Sequence, residues 1–152
     1  MKAASKAFEA LVARSVEHAL ELCRIPSPSR RERRVADYVR ARVEELGLAV
    51  EEDDAGAALD GDTGNLFVRT PGGTGGPLFL CAHMDTVAVP ELDPIPVVVE
   101  TERIHTGGVS PLGGDDKAGV ALALELLAEA VARPAEARPL DVIFCVQEEI
   151  GC

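Results

Sequence analysis

The sequence predicts an α/β fold, a mixed β-sheet flanked by helices, and three observations lead there. Two segments with the apolar period of amphipathic helices open the chain, and short apolar runs with strand character follow. A stretch of helical composition from Lys117 to Ala132 then separates two of those runs as a crossover, which places parallel strands in the sheet. At 152 residues and 47% hydrophobic content, the chain suffices for one modest domain with a packed core.

The first helix runs from Phe8, with Leu11, Val12, Val16, Ala19, Leu20 and Cys23 recurring at three and four residues. The stretch "RIPSPS" ends it, because Pro26 and Pro28 disfavour helix for the residues before them. Ser29 and Glu32 have capping-box spacing and predict a second helix running to about Leu46, with Gly47 as its C-cap. Strands are expected at 48–52, 65–70, 78–82, 95–100 and 140–147. The "PGGTGG" between the second and third is short enough for a hairpin. No internal repeat is present.

Composition narrows the function. A formal net charge of −11 argues against a nucleic-acid or anionic-membrane surface, since phosphate binding relies on clustered Lys and Arg. A small molecule, peptide or metal ion is the expected partner. Cys23, Cys81, Cys145 and Cys152 show no CxxC spacing, three of them sit in apolar segments, and all are read as reduced. Charged residues Glu9, Arg14, Glu17 and Glu21 interrupt the first apolar stretch, which excludes a signal-peptide core or membrane span there, and a cytoplasmic protein is expected. The "RRERR" at 30–34 reads as a solvated helix face and "EEDD" at 51–54 as a solvated loop. His18 and His105 are assigned surface roles.

Three stretches carry chemistry. In "LFLCAHMDTV", His83 and Asp85 are two apart at the end of an apolar strand and project to one side. The imidazole can bind a metal while the carboxylate holds its other ring nitrogen, although a plain hydrogen-bonded pair fits the same spacing. In "GGDDKAG", Asp115 and Asp116 either cap the crossover helix or send one carboxylate to bridge metal ions. In "VIFCVQEEIGC", Glu148 and Glu149 follow a strand and face opposite ways, so one can ligate while the other accepts a proton, or both simply enter solvent.

Together, "IPSPS" at 25–29, "AHMDTV" at 82–87, "GGDDKAG" at 113–119 and "QEEIG" at 147–151 resemble the co-catalytic zinc metallopeptidases. That family includes peptidase T, glutamate carboxypeptidase and the succinyl-diaminopimelate desuccinylases, and the peptidase T-like branch is the most similar in detail. The resemblance implies a zinc-peptidase-like catalytic domain in which His83, Asp115 and Glu149 ligate two Zn²⁺ ions, with Asp115 as the bridge. Asp85 would orient His83, Glu148 would be the general base, and Asp116 would be a neighbour of the site. The implied reaction is hydrolysis of amide bonds in small peptides by metal-activated water.

The family pattern also has a further acidic ligand, a distant histidine and an inserted lid or dimerisation domain, none of which occurs in these 152 residues. The chain is therefore expected to be the N-terminal part of a longer enzyme, inactive alone, with any homodimer formed through the absent domain. Two alternatives stay open: a deacylase of N-acylated amino acids, and a non-catalytic binding or structural module on the same scaffold.

Overall fold

The computed structural model describes residues 6–151; Cys152, read as a reduced thiol, lies outside them. The first helix, α1 (Lys6–Cys23), buries Leu22 and Cys23 but leaves Val12 and Val16 exposed. Its Arg14 edge faces α4 (Gly114–Ala132), where the Arg14 guanidinium donates to Glu125 at 2.7 Å and to Glu129 at 3.0 Å. Glu125 is buried, and such a carboxylate needs these partners.

The second helix, α2 (Arg33–Glu45), buries Val35, Ala36, Val39 and Val43 at helical spacing. Gly47 follows with φ 75°, its N–H bonded to the Glu44 carbonyl, and so ends the helix as expected. The capping box is not formed. Glu32 stands at the N-cap with no side-chain cap hydrogen bond, and both Ser29 and Glu32 turn to tertiary partners instead. Nor is "RRERR" simply a solvated face: Arg33 pairs with Glu52, Arg34 with Asp93, and Glu32 between the arginines is fully buried.

The sheet contains β1 (Val50–Glu52), β2 (Leu66–Arg69), β3 (Leu78–His83) and β6 (Leu140–Cys145), in the order β1-β2-β6-β3. Strands β3 and β6 are parallel and joined through α4, while the other pairings are antiparallel, so the sheet is mixed as expected. The expected hairpin between β2 and β3 does not form, because β6 inserts between them. Leu140, Val142 and Phe144 alternate inward from β6, which lies inside the sheet between β2 and β3.

The run at 95–100 yields only β4 (Val98–Val99), paired with β5 (Ile104–His105) in a separate ribbon. Pro94 and Pro96 remove the donors a longer strand needs. The acidic stretch 51–54 is also more ordered than a solvated loop. Glu52 belongs to β1 and meets Arg33 and Arg40, and Asp53 accepts from the backbone N–H groups of Ala55 and Asn65, which starts the short α3 (Ala55–Ala58).

Leu22, the α2 valines, and Val120, Leu124 and Leu127 of α4 form one core with Leu66, Val68, Ala82, Val142 and Phe144 of the sheet. The opposite sheet face carries Phe67 and Phe79, both exposed. No described helix is long and apolar enough to cross a membrane.

Candidate metal and catalytic site

Parallel pairing of β3 with β6 sets His83 opposite Cys145, so the segments leaving both strands emerge together at the carboxyl end of the sheet. Beyond His83, Asp85 is completely buried. Its carboxylate accepts the Ser29 hydroxyl at 2.6 Å, the Glu148 N–H at 3.0 Å and the Glu149 N–H at 3.1 Å. This satisfies the carboxylate, as a buried charge requires, and pins the turn after β6 against the end of β3.

The loop "IPSPS" is drawn into the same region. Ser27 donates to the Met84 carbonyl at 3.0 Å, the Thr86 N–H donates to the Ser27 carbonyl at 2.9 Å, and Pro28 and Thr86 form a parallel bridge. Lys117 is fully buried and donates from Nζ to the Ile25 carbonyl at 2.5 Å. Desolvation lowers its pKa to about 8.

His83 Nδ1 lies 3.0 Å from the Asp85 carbonyl and 3.3 Å from its carboxylate, which fixes the ring. Nε2 faces the opposite way, 3.2 Å from Asp115 Oδ1 and 3.8 Å from Glu148 Oε2. Burial pulls the His83 pKa down, but the hydrogen bonds that the ring donates to the Asp115 carboxylate and the Asp85 carbonyl outweigh it, and the net direction is upward.

At the entry to α4, Asp115 and Asp116 have non-helical dihedrals. Asp116 Oδ1 accepts the Gly119 N–H at 3.0 Å, so Asp116 acts as the functional N-cap while the Asp115 side chain stands 90% exposed beside His83. Glu148 and Glu149 lie in a single 3-10 turn, Glu148–Ile150, rather than at a strand end, because β6 stops at Cys145 and Gln147 takes a left-handed conformation.

The structure thus brings His83, Asp85, Asp115 and Glu148 together, while Glu149 joins through its backbone N–H. Among the described residues, no three His, Cys, Asp or Glu side chains form a group able to hold a metal ion. The groups that do meet are an imidazole oriented through its other nitrogen and two carboxylates facing it, types of donor that divalent cations take. His18 and His105 are held elsewhere, His18 half-buried between Tyr38 and Glu125, and His105 in β5 beside Glu100. Sequence reasoning assigned no role to Ser29 at Asp85, to buried Glu32 accepting the Gln147 N–H, or to Lys117. For Lys117 a signal existed, since a cation in the first turn of a helix opposes the helix dipole.

The fold is thus a mixed sheet with helices on one face and acidic and imidazole groups at its carboxyl edge. No protein-family model matches the chain. It is 31% identical to the cytosol non-specific dipeptidase of Escherichia coli, over 86% of this chain and 27% of that protein. It superposes on a tripeptidase from Staphylococcus aureus with a TM-score of 0.80 and 30% identity, covering 91% of this chain and 37% of that one. For aminopeptidase PepT from Bacillus cereus the TM-score is 0.81 and the identity 28%, with the same coverage. By sequence and fold the chain is similar to these peptidases, and it spans 27% to 37% of their lengths.

Proposed function

We propose that the chain forms the N-terminal part of the catalytic domain of a zinc-dependent peptidase acting on small peptides. The observation that carries the reading is the meeting of His83 Nε2 with Asp115 and Glu148, on a floor set by buried Asp85. In it, His83, Asp115 and Glu149 would hold two Zn²⁺ ions together with donors from outside these 152 residues, where the rest of the catalytic domain and a lid or dimerisation domain would lie. Zinc bound there supplies Lewis acidity, which polarises the scissile carbonyl and makes the attacking water more acidic.

The chain's own residues do the rest. Glu148 is 57% exposed at the rim, so its carboxylate is free to take the proton from water and return it to the leaving amine. Its backbone N–H on Asp85 Oδ1 fixes where that carboxylate starts. Asp85 also holds His83 Nδ1, leaving Nε2 directed at the site. Asp116 stays with the helix as its cap and takes no part. The reading is tested in the intact enzyme by metal analysis and peptide hydrolysis of Glu148→Gln and Glu149→Gln variants.

A further inference from the structure

Strand β6 ends at Cys145, and from there the chain leaves the ladder, so its next backbone N–H groups need other acceptors. Four in succession are received by side-chain oxygens. Val146 donates to Asn65 Oδ1 at 3.0 Å, Gln147 to Glu32 Oε1 at 3.1 Å, and Glu148 and Glu149 to the Asp85 carboxylate at 3.0 and 3.1 Å. Within this series Gln147 takes φ 59° and ψ 30°, a left-handed conformation that residues with a Cβ rarely adopt and that persists only where the surroundings impose it. We propose that Glu32 is a positioning residue for Glu148: by accepting the Gln147 N–H it imposes the turn that presents the Glu148 carboxylate beside His83. This role rests on the reading of Glu148 as the general base.

Nothing in α2 itself accounts for a carboxylate at position 32. Glu32 stands at the N-cap but makes no cap hydrogen bond, and its side chain, with no solvent exposure, reaches a residue 115 positions away. Its Oε2 and the Gln147 Oε1 are buried with no hydrogen-bond partner among the described residues. Burial pushes the Glu32 pKa up, and the N–H groups of Arg30, Glu32 and Gln147 only partly offset that rise. An apolar residue would cost less to bury there. What it would lack is the acceptor, without which the Gln147 N–H is buried and unmatched. The acceptor need not be charged, since a neutral carboxyl group or an amide also offers an oxygen.

The test is made in the intact enzyme, with kcat expressed per metal-loaded site. Glu32→Met removes the acceptor and should lower kcat by roughly 10–10²-fold, the scale on which small misplacements of reacting groups act, with KM and metal content within about twofold of the parent. Glu32→Gln keeps an acceptor oxygen and should hold kcat within about threefold. Should Glu32→Met not fold, Glu32→Asp draws the oxygen back by one carbon and should show the same loss. Amide hydrogen exchange gives a readout without turnover: in Glu32→Met, exchange at Gln147, Glu148 and Glu149 should quicken while Val142 and Phe144 of β6 keep their rates.

Parental kcat in folded Glu32→Met or Glu32→Asp overturns the positioning role, as do a loss that Glu32→Gln shares and a faster exchange spread evenly through β6. Unchanged exchange at Gln147 in Glu32→Met also overturns it, while leaving the peptidase reading intact. A parent enzyme that hydrolyses no peptide overturns that reading, and this role with it.

Discussion

A carboxylate with no solvent exposure must be matched by donors, and Asp85 finds them on two segments far apart in sequence, at Ser29 and in the turn that holds Glu148 and Glu149. Replacing Asp85 by Asn puts an amide N–H₂ where an acceptor oxygen met a backbone N–H or the Ser29 hydroxyl. The unfolding free energy should drop by roughly 1–3 kcal/mol, the cost of an unsatisfied buried group. Ser29→Ala removes one donor and should cost about 1 kcal/mol. Denaturant midpoints measure both, and equal losses from the two variants would show that Asp85 does not gather the separate contacts. His83 and Asp85 were readable from sequence because extended spacing puts both on one side of the chain. Ser29 was misread: the capping-box signature is local, and the buried charge that claims its hydroxyl lies 56 positions away.

Element boundaries followed the apolar period closely where one element satisfies its own backbone, as in α2, whose end Gly47 marks. Pairing was less legible. Nothing in "PGGTGG" can indicate that a strand 70 residues later will enter between its neighbours, as the Thr70–Leu140 contact records. At the start of α4, Asp116 lies folded over Gly119, where an added Cβ would sit 2.2 Å from Asp116 Oδ1. Alanine at an ordinary helical glycine stabilises by up to about 1 kcal/mol, but Gly119→Ala should destabilise by roughly 1–3 kcal/mol through overpacking. Thermal unfolding should also show that the double variant Asp116→Ala/Gly119→Ala is less damaged than the sum of the singles. Additive losses would remove Asp116 from its capping role.

Across the molecule, Glu52 ties β1 to α2 through Arg33 and Arg40 and to the α3–β2 connection through Thr63 and Gly64. The Arg33 hydrogen bond is the main cause holding its pKa at about 2. A carboxylate depressed in the fold contributes stability above its unfolded pKa, near 4.5, and loses it as pH falls towards about 2. Glu52→Gln should therefore cost about 2 kcal/mol at neutral pH, after allowance for solvent screening, and progressively less below about pH 4.5. Melting temperatures across pH 2–7 should converge for the two proteins at the acid end. A gap unchanged with pH would mean that Glu52 acts by shape and not by charge. The sequence read this stretch as solvated because its arginine partners belong to another element.

The central claim is that the chain presents a peptidase site in which Glu148 moves a proton and Glu149 holds metal. The most direct measurement is paired metal content and peptide turnover in the intact enzyme. Glu148→Gln should lose roughly 10²–10⁴-fold in kcat, the span of general acid–base catalysis, with metal content nearly unchanged, whereas Glu149→Gln should lose metal. A Glu148→Gln enzyme depleted of metal, beside a Glu149→Gln enzyme that keeps its metal and loses only turnover, would contradict the assignment.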